Sequence, residues 1–249
     1  DQYMMAKTAQ LLADVEQAYD SFKFNGVYRA VYDFVNDLSS VYMDVTKDRL
    51  YSESPDSPRR RAVQTVLFNI LEVLVRVLSP ILSFTADEVW ECYPEAMRNR
   101  EGRVCNVQLA GWPHRSDFVP ALPGKQAEEK VLAAFGGALE VRDVVTKALE
   151  DARGAKVINK SQEATVSVTA PQATLDALSA FDASVFEELF IVSGVTFAAG
   201  DELACEVKPA EGDKCPRCWN YRELGGNANH ADVCQRCGDA LDAIGFTEE

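Results

Sequence analysis

Four of the seven cysteines stand as two Cys-x-x-Cys pairs, Cys215–Cys218 and Cys234–Cys237, with 15 residues between them. That spacing belongs to the pattern by which two tight turns bring four thiolates to one point. Four thiolates complete a closed tetrahedron around one structural Zn²⁺, with no coordination position left open for catalysis. Pro216 stiffens the first turn, and Gly238 follows the second, where a positive φ is expected. Few apolar residues accompany these cysteines, so metal binding is expected to supply the folding free energy of this tail. An iron site of similar spacing, or two redox-active pairs, are the competing readings. His230 is a further ligand type nearby, but four cysteines already saturate a tetrahedral ion.

The other cysteines, Cys92, Cys105 and Cys205, are scattered, and no basic-then-apolar secretory layout opens the chain. Metal is therefore expected rather than disulfides, and a reducing cytoplasm is the simplest home. The chain starts Asp1-Gln2-Tyr3 without an initiator Met and runs straight into a helical pattern, as a piece cut from a longer protein would. No charge-free apolar run reaches the roughly 18 residues a membrane span needs. A length of 249 residues predicts two or three domains.

The net charge of −14 argues against non-specific attraction to nucleic acid, yet it is uneven. Residues 116–212 hold 8 basic against 16 acidic residues, whereas residues 1–115 hold 13 against 16 and residues 213–249 hold 4 against 7. A shaped basic site at either end is compatible with that distribution.

Periodicity predicts a mainly α, multidomain fold. Residues 1–115 read as an up-and-down helical bundle. Leu11, Leu12, Val15, Ala18, Tyr19 and Phe22 mark a first helix that breaks near Asn25-Gly26. Val27, Ala30, Val31, Phe34, Val35 and Leu38 mark a second, ending at Lys47 and Arg49. A Pro-rich loop at 52–58 precedes a third helix from Arg59 to Leu78, which Pro80 stops. Thr85-Ala86-Asp87-Glu88 reads as the capped start of a short fourth helix. The stretch from Tyr93 to Pro123 is irregular, with one strand expected at Val104–Leu109.

Residues 116–212 read as a small α/β (α+β) domain. It has a helix over Gln126–Asp151 and strands at 165–169, 190–197 and 203–207, with two short helices among them. Lys208–Gly212 is a linker, and residues 213–249 are the zinc module.

Several stretches carry a family likeness. Phe24-Asn25-Gly26-Val27-Tyr28-Arg29-Ala30-Val31-Tyr32, followed by Asn36–Tyr42 and Asp44–Tyr51, resembles the anticodon-binding bundle of isoleucyl-tRNA synthetase. So do Gln64–Leu67 and Leu78-Ser79-Pro80-Ile81-Leu82-Ser83-Phe84-Thr85-Ala86-Asp87-Glu88-Val89-Trp90. Lys147–Arg153 and Phe190–Ser193 resemble that enzyme's junction domain, and Lys214–Tyr221 its bacterial C-terminal zinc module. The likeness is collinear over essentially the whole chain. It implies a cytoplasmic, monomeric class I synthetase that activates isoleucine with ATP and esterifies it to the isoleucine tRNA. Neither the H-I-G-H nor the K-M-S-K-S signature is present. The implied role is therefore to grip the anticodon stem-loop, with ATP, isoleucine and all catalytic residues in the catalytic and editing domains of a parent chain.

Loop bases are read by aromatic stacking, while Lys and Arg hold phosphates. Trp219, next to a metal ligand, is the candidate platform, and packing over the zinc turn is its alternative role. Lys214, Arg217, Arg222 and Arg236 surround it as candidate phosphate contacts. Lys47 and Arg49 are candidates too, or else compensate a helix C-terminus. Arg59, Arg60 and Arg61 open a helix, where cations oppose the dipole, so an external anion is the favoured explanation. Tyr28, Tyr32, Tyr42, Trp90 and Trp112 are assigned to packing and His114 to the surface. A zinc-stapled protein-interaction module and a free-standing tRNA-binding factor remain as alternative functions.

Overall fold

The computed structural model of the protein describes residues 1–98, 102–118 and 124–246. In chain order the helices are α1 (Gln2–Asp20), α2 (Phe24–Asp37), α3 (Met43–Val45), α4 (Lys47–Ser52), α5 (Pro58–Leu78) and α6 (Ser83–Glu91). They continue with α7 (Glu95–Arg98), α8 (Arg115–Phe118), α9 (Lys125–Gly154), α10 (Gln172–Leu178), α11 (Ala183–Phe190) and α12 (Gln235–Ala243). The strands are β1 (Ala164–Ala170), β2 (Gly194–Ala199), β3 (Ala204–Pro209), β4 (Asp213–Lys214) and β5 (Tyr221–Arg222). No helix among the described residues is long and apolar enough to cross a membrane.

Two compact units result, and each is assembled from separate stretches: Asp1–Tyr42 with Ala62–Leu132, and Met43–Arg61 with Ala133–Glu249. These units do not coincide with the linear division at 115 and 212. The segment between the second and third predicted helices belongs with the sheet and the cysteines, because α4 and its flanks find their partners there.

In the first unit, α1, α2, α5 and α6 bury an apolar face. Val15, Val27, Val63, Val73 and Val77 are wholly inaccessible. The turn after α1 falls at Ser21–Lys23, earlier than Asn25-Gly26. Phe22 takes φ 55°, and the Lys23 N–H donates to Ala18 O at 2.8 Å, closing the helix end. Gly26 instead lies inside α2, where a Cβ would come within 3.3 Å of Ala18 Cβ, so this glycine permits close helix approach. Pro58 takes the first position of α5, where its missing N–H costs nothing. The fourth helix begins at Ser83, without a side-chain cap, rather than at Thr85.

Tyr42 is buried and Trp90 more so, as predicted, but Tyr28 and Tyr32 are 65% and 55% exposed. The two tyrosines stack on each other 5.7 Å apart on the face of α2 opposite Val27 and Phe34. Helical spacing identifies residues sharing a face but not which of two aromatic faces turns inward. The strand expected at Val104–Leu109 is absent among the described residues; a 3₁₀ turn occupies Val107–Leu109. Side chains take its backbone partners: the Trp90 indole donates to Val104 O at 3.1 Å, and Val107 N–H donates to Asp87 at 3.2 Å. The end of the predicted irregular region, at 119–123, lies outside the described residues.

In the second unit, α9 packs one face on a three-stranded sheet of order β2-β1-β3, with β1 parallel to β2 and antiparallel to β3. The alternation along β1 buries Ala164, Val166, Val168 and Ala170. The apolar residues buried on α9 are Ala138, Val141, Val145, Leu149 and Ala152; of the stripe that helical spacing predicts, Val131, Phe135, Leu139, Val144 and Leu149, Leu149 is in this core and Phe135 and Leu139 pack against it partly buried. Phe190 ends α11, and the expected second strand starts only at Gly194. Ile191 at φ 58° closes the helix between them. Lys208 and Pro209 belong to β3, which shortens the linker to Ala210–Gly212.

Candidate metal centre and nucleic-acid interface

The two Cys-x-x-Cys pairs meet. Sγ atoms of Cys215, Cys218, Cys234 and Cys237 all lie within 4.8 Å of one another, and all four residues are buried. Cys218 Sγ and Cys234 Sγ are 3.8 Å apart. Tetrahedral Zn²⁺ with Zn–S bonds near 2.3 Å sets its sulfur atoms about 3.8 Å apart, so the donor set and its size fit that ion. Hydrogen bonding among the cysteines holds the Cys234 thiol below its ordinary pKa and pushes that of Cys237 above it, as expected of thiols that share protons at close range.

Each pair sits on a different local device. The first lies in the β4–β5 hairpin, where Trp219 N–H donates to Cys215 O at 2.8 Å and Cys215 N–H to Asn220 O at 2.9 Å. The second opens α12, with Cys234 as the residue preceding the helix. Gly238 is helical and has no positive φ. It is there because a Cβ would meet Asn227 Cβ at 2.4 Å. His230 stays outside the sulfur cluster; it is buried with Nε2 3.4 Å from an Asp242 carboxylate oxygen. Asn227 and Asn229 donate to that same carboxylate and keep its pKa low.

Trp219 stands out of this turn. It is 50% exposed at φ 66°, a left-handed conformation uncommon for a bulky residue. Lys160 Nζ lies 4.9 Å and Lys214 Nζ 5.7 Å from its ring centroid. Such cation–π contacts at exposed sites contribute only about 0.5–1 kcal/mol each. Trp219 therefore does not pack over the zinc turn as a miniature core. Val233 and the cysteines form that core, with Leu224 and Leu241 against it.

The other basic candidates are engaged by the protein itself. Arg236 forms a two-pronged pair with Asp48, and Arg217 donates to the Ser52 carbonyl. Arg222 pairs with Glu187 at 2.9 Å. Arg49 donates Nε and Nη2 to Glu188 Oε2 at 2.9 and 2.6 Å, and Arg59 pairs with both Glu188 and Glu53. Arg60 donates to Glu53 O at 3.4 Å. The dipole conflict at the start of α5 is thus answered by Glu53 and Glu188, anions of the chain itself. Arg61 faces exposed Asp56 at 3.8 Å, and Lys47, at the first turn of α4, pairs with Asp44 at 2.7 Å. Lys47 and Arg49 do not end the second helix; they belong to α4.

Spacing could not reveal these partners, because Asp48 is 188 residues from Arg236 and Glu188 is 139 from Arg49. Lys160 also escaped the sequence reading. Its only signal is a basic residue between the end of α9 and β1.

Residues 1–168 match the family described as the anticodon-binding domain of tRNA ligase, and residues 212–239 match the zinc finger found in FPG and IleRS. The chain is 41% identical over 251 residues to the isoleucine–tRNA ligase of Geobacillus kaustophilus (strain HTA426), covering 95% of this chain and 26% of the relative. It is 35% identical over 259 residues to that of Kosmotoga olearia, covering 100% of this chain and 27% of the relative. For the isoleucine–tRNA ligase of Thermotoga maritima the identity is 36% over 246 residues, with 95% and 26% covered. The chain thus spans about a quarter of the length of the curated relatives it matches. With a helical bundle inside the first match and the sulfur cluster inside the second, the chain belongs to the family of anticodon-binding domains of tRNA ligases, in the form found in the C-terminal part of isoleucine–tRNA ligases.

Proposed function

We propose that this chain grips the anticodon stem-loop of the isoleucine tRNA on behalf of a parent ligase that attaches isoleucine with ATP in the cytoplasm. In this reading the bundle, the sheet domain and the zinc module are three successive parts, divided near residues 115 and 212. Cys215, Cys218, Cys234 and Cys237 hold one structural Zn²⁺, whose role is to fix the β4–β5 turn. Catalytic groups reside in other domains of the parent, so the chain alone carries no aminoacylation activity.

The observation that carries the reading is Trp219. Its half-exposed indole is held in a left-handed conformation on a cysteine-anchored turn, with two ammonium groups at its ring. Stacking of an unpaired base on such a ring contributes on the order of 1–3 kcal/mol. Among the basic candidates, Lys214, Lys47 and Arg61 are the most solvent-facing. Arg217, Arg222, Arg236, Arg49, Arg59 and Arg60 serve first to shape the surface that presents the ring.

Filter binding of the zinc-loaded chain to the isoleucine tRNA and to a second tRNA tests this. Preferential binding that weakens steeply with salt supports it. Equal, salt-insensitive retention of both RNAs would point to a protein partner instead.

A further inference from the structure

One end of the first unit carries large apolar side chains that its own folding does not use. Phe22 follows the cap of α1; its N–H donates to Tyr19 O at 2.9 Å, and the Lys23 N–H donates to Ala18 O at 2.8 Å. This helix-closing arrangement needs a left-handed residue, for which Gly or Asn is the ordinary choice. Here a phenylalanine takes φ 55° and is 80% exposed. Leu82 stands at the N-cap of α6, a place for Ser, Thr, Asp or Asn, and no side chain caps that helix. Phe84, in the first turn of α6, is 93% exposed. Local folding chemistry thus disfavours Phe22 and Leu82 where they stand, and contact with a further surface accounts for both.

These positions lie together. The Tyr19 ring meets Phe24 at 6.0 Å and Trp112 at 5.6 Å, and its hydroxyl donates to Val77 O at 2.8 Å. Phe24 in turn lies 6.4 Å from Phe22. After Val77 the α5–α6 connection is held in fixed turns: Leu82 N–H donates to Leu78 O at 2.7 Å and the Ser83 hydroxyl to Ser79 O at 2.9 Å. The Gln108 amide donates to Ser83 O at 3.1 Å, which brings the turn bearing exposed Leu109 to the same loop.

Phe22, Phe24, Ile81, Leu82, Phe84 and Leu109 make up an exposed patch on the order of 700 Å², taking roughly 200 Å² for each aromatic side chain. Patches above a few hundred Å² mark association surfaces. Lys23 is the single charged residue in segments 21–24, 77–86 and 104–113, so phosphates find little to bind and a charge-poor protein face fits. The area does not exceed the roughly 800 Å² per partner that stable complexes of separate chains bury. A face on the same polypeptide needs less, because covalent linkage supplies a high effective concentration. The chain covers only 26% of its Geobacillus kaustophilus relative, which leaves ample length for such a face.

We propose that this end of the bundle seats another domain of the parent ligase, docked through an apolar, charge-poor face. The proposal rests on the reading of the chain as part of a ligase and adds where that ligase holds it.

The test is hydroxyl-radical footprinting of the tRNA-free parent ligase beside the 249-residue chain, with Trp219 as the reference for dose. Phe22 and Phe84 are expected to be oxidised in the chain and protected several-fold in the parent. Phe84→Asp is expected to leave the denaturant midpoint of the chain unchanged, since that ring is almost wholly in water, and to speed proteolytic release of the bundle from the parent several-fold. Equal labelling in chain and parent overturns the proposal, as does an unchanged release rate. Protection that grows with concentration in the chain alone assigns the patch to a second copy and also overturns it. A loss of isoleucine tRNA binding by the chain in Phe84→Asp assigns the patch to RNA, with the same consequence. Failure of the unsubstituted chain to bind tRNA sinks the tRNA-binding reading instead and leaves the footprint to decide the docking.

Discussion

The helices of the first unit bury Val15, Val27, Val63, Val73 and Val77 completely, whereas the described residues beyond 212 bury only Val233, Ala240 and four cysteines as apolar groups. Both regions must offset the conformational entropy of an ordered chain, roughly 1–2 kcal/mol per residue for the backbone. The bundle does so by removing apolar surface from water at about 25 cal/mol per Å². The cysteine segment has too little such surface, and four converging thiolates take over that task. The difference teaches where each region is vulnerable. One depends on side-chain volume, the other on an ion and on the ion pairs that dock it.

Metal removal is the most forceful way to break this comparison. Chelation, or Cys215→Ser, is expected to unfold residues 213–246 and leave the bundle helical, since structural zinc contributes apparent free energies of about 10 kcal/mol or more. Hydrogen exchange resolved along the chain checks it. Loss of protection in α1 and α5 together with α12 would show that the regions do not stand apart. Next in size is Ile70→Ala, which opens a cavity where a side chain only 2% exposed stood. It should cost the bundle about 2–5 kcal/mol in denaturant titration while zinc content stays at one per chain. A fall in bound zinc would contradict that independence.

Arg236→Ala sharpens the other half. It removes the two-pronged partner of Asp48 and should raise exchange in α12 by the equivalent of roughly 1–3 kcal/mol with zinc still bound. Unaltered exchange would mean that the metal alone orders the module.

The smallest effect is a pH response of the bundle. Burial, then the charge of Glu72, raises the Tyr93 hydroxyl above its ordinary value of 10.0. A raised folded pKa means the unfolded chain loses its proton first. Stability is therefore complete below about pH 10 and declines as pH climbs through the folded value. Tyr93→Phe should flatten that decline in denaturant midpoints taken across the range, and an unchanged slope would remove Tyr93 as its source.

The zinc pattern, α5, α9 and β1 were all legible in the residues, because each rests on a local rule: ligand spacing, a 3.6-residue period or strict alternation. Errors fell where a local rule has two solutions. Tyr28 and Tyr32 fit a helical stripe, yet the opposite stripe of α2 turned inward. Val104–Leu109 is apolar enough for a strand, but Asp87 and Trp90 claimed its backbone groups. Gly238 seemed to need an unusual φ and instead makes room for Asn227.

By itself, then, the sequence determined that this chain is a helical bundle followed by a small sheet domain and a metal-binding tail, and its collinear motifs pointed to the family. Only the tertiary structure decided which charges face solvent. It gave Asp48, Glu53, Glu187 and Glu188 to the arginines and left Lys160 and Lys214 beside Trp219. The physical reason is that ligand spacing and periodicity act over a few residues. Ion pairing joins groups more than a hundred residues apart, and only the folded chain brings those groups within reach.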